Sequence, residues 1–301
     1  MLPNPGMRGI ERRLTWVVGS PRSGSTWFSR LLSSACDASY IHEPLAGLHL
    51  GLWASAGVGV PSGQLSGRLM SEIRTDADYF FSDDYAAAWE PALRRLILTR
   101  FRAQIRDGRR VCIVHEPNGS EGAPLLMRVL PRSRMIFLLR DGRDVIDSLL
   151  DAWTAGSWLD DAFGVGELQS ATDRLRFIEE QAHRWAVRTR AVKQAYEAHP
   201  DHLRLLVRYE DLRQDTAGEL RKLFSHFTLR EPPQLDDLVK QHSFENVKPE
   251  QRGKGKFHRA AQPGGWAKNL NDDDIRVCEA VMGPLLAEFG YESTATGASR
   301  A

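Results

Sequence analysis

Residues 19–26 read Gly-Ser-Pro-Arg-Ser-Gly-Ser-Thr, a loop of the form G-x-x-x-x-G-x-[ST] in which Ser25 replaces the customary lysine. Gly19 and Gly24 let successive backbone amides converge on an anion. A helix starting near Ser25 aims its positive end at the same point. The chemistry implied is capture of a phosphate-bearing nucleotide. A Walker-type loop adds a lysine for the outer phosphates, so this chain does not read as an ordinary ATPase or GTPase. Its cation is Arg22, three positions before Ser25, where a side chain could reach a bridging oxygen or a leaving group. A plain Gly/Ser turn is the alternative, but glycine spacing, a preceding strand and a following helix all agree on the anion site.

A second group of candidates follows the apolar run Met135–Leu139. Arg140 leaves the tip of that run, and Ser148 lies eight residues later on a predicted helix, so the two could share one further phosphate. A plainer role for Arg140 and Arg143 is ion pairing with Asp144 and Asp147.

These residues need a frame to hold them. Short apolar runs at residues 14–18, 111–114, 135–139 and 203–207 predict strands, each followed by a helical pattern: 26–34, 124–130, 143–150 and 218–227. Longer helices are expected over 86–105, 172–199 and 272–289. Alternating apolar strands and helices indicate a parallel sheet covered on both faces, with the ligand beyond the carboxyl ends of the strands. The fold class is therefore α/β: one domain over residues 14–292, a central parallel sheet flanked by helices, with residues 1–13 and 293–301 as flexible termini.

Composition narrows the partners. A net charge of +1 over 301 residues gives no global pull toward nucleic acid or anionic membrane. Cys36, Cys112 and Cys278 show neither metal-ligand nor disulfide spacing and read as small buried thiols. No run reaches the roughly 20 apolar residues of a membrane span, and the first 13 residues lack a signal-peptide core. The expected location is the cytoplasm, with no bound metal.

Together the two clusters resemble the sulfotransferase family, whose members transfer sulfuryl groups from 3′-phosphoadenosine 5′-phosphosulfate (PAPS) and release the bisphosphate PAP. The family pattern P-[KR]-S-G-[ST]-T-W, which binds the 5′-phosphosulfate, is matched throughout by Pro21, Arg22, Ser23, Gly24, Ser25, Thr26 and Trp27. Its arginine and serine for the 3′-phosphate correspond to Arg140 and Ser148. Tyr209, in Arg-Tyr-Glu-Asp-Leu, resembles a tyrosine near the adenine, and Trp27 the residue that stacks on it. The late R-K-G-x-x-G-x-W loop is only partly kept: Arg259, Gly264 and Trp266 are present, and the Lys-Gly pair is not. The resemblance implies a P-loop nucleoside-triphosphate-hydrolase-like fold and covers about residues 14–291. It also accounts for the missing lysine. A sulfuryl group carries one negative charge and needs less neutralisation than a phosphoryl group, so Arg22, loop amides and Thr26 could stabilise the leaving phosphate oxygen without a metal.

Transfer also needs a general base. Glu43, 21 residues after Arg22, resembles the catalytic glutamate of the carbohydrate and tyrosylprotein branches. His115, 25 residues before Arg140, resembles the His-x-Pro histidine of the cytosolic phenol and steroid branch. Both stay open at this point. Their neighbours His42 and Glu116 are expected to point to the opposite face if the segments are extended. The acceptor would meet the segments outside the common plan, Leu45–Ala88 with its glycines and Ala152–Leu168 with Trp153, Trp158 and Phe163. An apolar small-molecule, lipid or glycan acceptor is expected, and a homodimer is left open. Other readings are a metal-dependent nucleotide or small-molecule kinase and a non-catalytic nucleotide-binding protein.

Overall fold

A computed structural model describes residues 9–49, 81–105, 108–163, 168–256 and 262–292. Its principal elements, in chain order, are β1 (Leu14–Gly19), α1 (Ser25–Ala35), β2 (Ser39–His42), α2 (Ala86–Arg102), β3 (Cys112–His115), α3 (Ala123–Val129), β4 (Arg134–Leu139), α4 (Gly142–Ala152), α5 (Ala171–Ala198), β5 (Arg204–Arg208), α6 (Tyr209–Gln214), α7 (Thr216–His226), α8 (Leu235–Gln241) and α9 (Asp272–Glu288). The chain forms two compact units. Of the described residues, one unit holds those up to Leu139 together with Val187–His242; the other holds Arg140–Ala186 and those from Ser243 onward.

The first unit contains a five-stranded sheet in the order β2-β3-β1-β4-β5, parallel throughout. Every residue of β1 and β3 is buried, as expected for strands covered on both faces. Val17, Ile113 and Ile136 of the sheet pack with Phe28, Leu31 and Leu32 of α1 and with Leu220, Leu223 and Phe224 of α7. Each such side chain contributes roughly 1.5–3 kcal/mol on burial, which fixes the strand ends that carry the site. The four strands read from the sequence are present, shifted by at most one residue at most ends. The edge strand β2 was not among them, because Ser39–His42 is half polar and offers no continuous apolar run.

The ordered chain starts earlier than residue 14. Ile10 and Glu11 are buried, and Glu11 forms an ion pair with Arg94 while accepting the Arg132 N–H at 2.8 Å. A flexible lead-in therefore cannot extend to residue 13.

The second unit is helical. The Gly142 Cα of α4 lies so close to the Trp185 ring and the Met282 sulfur that an added Cβ would fall within 3 Å of both. The fully buried Asp274 near the start of α9 takes both ends of the Arg174 guanidinium, with Nε at 3.1 Å and an outer nitrogen at 2.8 Å. Its other oxygen bonds close a capping box with Asn271.

Candidate active site

The loop after β1 is fixed from three sides. The Gly19 N–H donates to Ser120 Oγ at 2.9 Å, and that hydroxyl donates to the Glu116 carbonyl at 2.7 Å, tying the ends of β1 and β3 together. Gly19 also passes so close to β4 that a Cβ would stand 2.1 Å from the Leu138 carbonyl oxygen. Arg22, though not glycine, is left-handed at φ 68°, a sparsely populated conformation for a residue with a side chain.

Gly24 follows at φ 76°, where a Cβ would lie 2.4 Å from the Tyr209 ring. Both the backbone and the neighbour thus demand glycine. Helix α1 begins at Ser25 with no side chain capping its first turn, so the N–H groups there point to the loop without intrahelical acceptors. Ser23 is buried, and its hydroxyl has no hydrogen-bond partner among the described residues. An orphaned buried hydroxyl costs about 1–3 kcal/mol unless something with acceptor oxygens meets it. These features fit a phosphate-bearing ligand.

Beside the loop, Tyr209 and Trp27 meet edge to face, with ring centroids 6.4 Å apart. The Arg213 guanidinium stands 5.6 Å from the Trp27 ring centre, and Trp27 Nε1–H donates to the His242 carbonyl at 2.7 Å. Trp27 is half-buried and anchored by its edge, which orients its ring instead of losing it in the core.

At the carboxyl ends of β2 and β3 the sheet register places His42 beside His115. Their rings are nearly parallel, at 8° with centroids 5.2 Å apart, and face each other through Nδ1 atoms 3.1 Å apart; the Tyr40 ring lies beside both, 5.8 Å from His42 and 6.4 Å from His115. His42 was expected to turn away from Glu43, and it does not. Glu43 takes φ 43°, which breaks the alternation of an extended strand and brings its carboxylate to the same side. The Glu43 N–H donates to the His115 carbonyl at 2.8 Å, and Asn118 Nδ2 donates to Glu43 Oε2 at 2.9 Å. Glu43 Oε1 stands 3.8 Å from His115 Nδ1.

The two candidate bases differ sharply in access. The Glu43 side chain is 31% exposed and that of His115 is 0% exposed. Burial, then the proximity of His42 and Arg30, pushes the His115 imidazole down to about 3, so it stays neutral at pH 7. Glu116 turns to the chain beyond Glu43, accepting the Ala46 N–H at 3.1 Å. Burial raises its carboxyl to about 7 despite that bond.

In the second unit Arg140 and Ser148 are both buried. Arg140 stands 3.6 Å from Asp144, and Ser148 lies one turn further along α4 on the same face. Asp144 is fully buried and accepts the Gly264 N–H at 2.8 Å and the Trp266 N–H at 3.1 Å. Burial raises its carboxyl pKa, an effect opposed by Arg140 and by those two amides. Asp147 accepts from Asn269 at 3.0 Å. Arg143 pairs with Asp141 and Glu279 and lies 3.9 Å over the Trp266 ring. The ion-pair reading thus holds for Arg140 with Asp144, while the partners of Arg143 are others. The late loop is held by α4 through Asp144, a role the sequence reading did not assign.

Arg259 and the glycine-rich segment 50–80 lie outside the described residues, as do residues 164–167. Within the expected acceptor segments, Trp153 packs on Phe177 with centroids 4.9 Å apart. Asn118 and Ser120 also escaped the sequence reading. The signal was there: Glu-Pro-Asn-Gly-Ser directly after an apolar strand is turn chemistry at a carboxyl end.

A parallel sheet whose central strand runs into a glycine-bearing loop and then a helix is an α/β, P-loop-like architecture. A sequence profile described as the sulfotransferase family matches residues 15–233, and the chain belongs to that family. No curated protein sequence matches it significantly. Among solved structures, it is similar to mouse sulfotransferase SULT7A1 complexed with PAP, at 13% identity and TM-score 0.56, covering 93% of this chain and 89% of that one. It is also similar to retinol dehydratase in complex with androsterone and inactive cofactor PAP, at 16% identity and TM-score 0.52, covering 91% and 81%. Among the described residues no helix is long and apolar enough to cross a membrane.

Proposed function

We propose that this sulfotransferase moves a sulfuryl group from PAPS to a hydroxyl or amine of a small-molecule, lipid or glycan acceptor, releasing PAP. The observation that carries the reading is the cradle around Gly24. A left-handed glycine is closed in by Tyr209, the start of α1 has no side-chain cap, and the buried Ser23 hydroxyl has no partner among the described residues. PAP in the similar mouse enzyme and in retinol dehydratase supports the choice of nucleotide.

In this reading the amides of Ser23, Gly24, Ser25 and Thr26 hold the 5′-phosphate, and Arg22 meets the oxygen on which charge collects as the sulfur–oxygen bond breaks. Trp27 and Tyr209 serve the adenine. Arg140 and Ser148, with Arg259 and Gly264 of the late loop, serve the 3′-phosphate. Glu43 takes the proton from the acceptor as its oxygen or nitrogen attacks sulfur, because it is the candidate that solvent and substrate can reach. Three cysteines without disulfides fit a cytoplasmic enzyme.

Isothermal titration with PAP tests the binding claim: saturable binding that Arg22→Ala weakens is expected, and no binding at millimolar concentration would remove the reading. Transfer of labelled sulfate from PAPS to any acceptor separates it from a non-catalytic protein. Magnesium-dependent turnover of ATP without sulfate transfer would favour a kinase instead.

A further inference from the structure

We propose that His42, Glu43 and His115 form a binding site for one zinc-type divalent cation, and that the occupied site is an inhibited state of the enzyme. Each residue offers one ligand atom, and these atoms lie within 4.8 Å of one another. A tetrahedral zinc with bonds of about 2.0–2.1 Å to nitrogen and oxygen needs ligand atoms roughly 3.3 Å apart. The His42 and His115 Nδ1 atoms are 3.1 Å apart, and His115 Nδ1 to Glu43 Oε1 is 3.8 Å. These two distances bracket that requirement, and the third pair, His42 with Glu43, lies within 4.8 Å, so side-chain rotations that close at most about 1.5 Å complete the set.

The register of β2 and β3 sets the two imidazoles side by side with their Nδ1 atoms facing, so a modest ring rotation turns both onto one ion. The second carboxylate oxygen of Glu43 is held by Asn118, the kind of outer contact that orients a metal ligand. Two imidazoles and one carboxylate suit zinc, cobalt, nickel or copper better than magnesium or calcium. His42 is exposed, which leaves an entry path and a fourth position for water.

Binding alone does not depend on the assigned reaction. Inhibition does, because it rests on Glu43 being the base: a carboxylate oxygen bonded to zinc cannot take a proton from the acceptor. The metal is therefore an inhibitor here and not a participant in transfer.

The test uses the full chain, freed of any affinity tag and stripped with a chelator. Zinc chloride titrated calorimetrically should bind at about one equivalent, and His42→Ala should weaken it at least tenfold. Cys36→Ser should leave it unchanged, since Cys36 is half-buried and outside the cluster. Cobalt should give tetrahedral visible absorption without a thiolate charge-transfer band. Circular dichroism checks that each variant folds, and Glu43→Gln supplies an independent loss of one ligand if His42→Ala does not. Absence of a stoichiometric site, or equal affinity in both ligand variants, overturns the site and leaves the sulfotransferase reading intact. Zinc that binds at this site without slowing labelled-sulfate transfer overturns the inhibited state and counts against Glu43 as base. The expected result is slowing by zinc that chelator reverses.

Discussion

Replacing Glu43 by glutamine separates chemistry from architecture at this site. The backbone bond from Glu43 N–H to the His115 carbonyl does not involve the side chain, and a glutamine oxygen can still accept from Asn118 Nδ2. What the substitution removes is the capacity to take a proton. If Glu43 is the base, kcat should fall by about 10²- to 10⁴-fold, equivalent to about 2.7–5.4 kcal/mol of transition-state stabilisation. If Glu43 only braces the end of β2, the change weakens one hydrogen bond to a charged group, costs about 1 kcal/mol of stability and leaves kcat nearly intact. The two cases differ by orders of magnitude in rate. The assay is labelled-sulfate transfer from saturating PAPS, alongside calorimetric affinity for PAP, which should change less than threefold. His115→Ala is the companion: its side chain is fully buried beside the His42 and Tyr40 rings, so it should lower stability more than it lowers rate. A Glu43→Gln enzyme within threefold of wild type, beside a His115→Ala enzyme that folds but is inactive, would move the base to His115.

Gly24→Ala adds a Cβ where φ is 76° and the Tyr209 ring is 2.4 Å away; it should cost about 1–2 kcal/mol from the left-handed backbone alone, and at least tenfold in PAP affinity. Adding Tyr209→Ala should return part of the stability, and strict additivity in denaturant titrations would refute the contact. Asp144→Ala removes the acceptor of the Gly264 and Trp266 amides, so the second unit should lose about 1–3 kcal/mol and the late loop should be cut faster in limited proteolysis; unchanged cleavage would mean that the loop is held otherwise. His199 is buried with Nε2 2.8 Å from the Ser133 carbonyl, and burial lowers its pKa below the ordinary 6.5. The unfolded chain therefore binds the proton first, and stability present above about pH 6.5 declines as pH falls. Urea midpoints at pH 7.5 and 5.5 should differ less in His199→Gln than in wild type, and an equal difference would exclude His199 as a source.

The conformation of the glycine loop after β1 was legible because its requirements are local. A glycine at a left-handed position, a strand before it and a helix after it all leave marks in adjacent residues, and the structure places Gly24 and Ser25 in those roles. The other four strands were legible for the same reason, each carrying a continuous apolar run. What escaped depends on register between segments far apart in the chain. Nothing near His42 announces that its Nδ1 meets that of a residue 73 positions away; that follows only once β2 pairs with β3 in parallel. The expectation that His42 would face away from Glu43 assumed strict strand alternation, and the positive φ of Glu43 cancels it. Asp144 is the complementary case. From sequence it was a plausible ion-pair partner of Arg140, which it is at 3.6 Å, but its second task, holding two amides more than 100 residues later, could not be read from spacing. A buried carboxylate with one arginine and two backbone donors is well satisfied, so Arg140 is oriented by a group that is itself fixed. An arginine held in this way can keep its position while it meets an anion, as the proposed 3′-phosphate role of Arg140 requires.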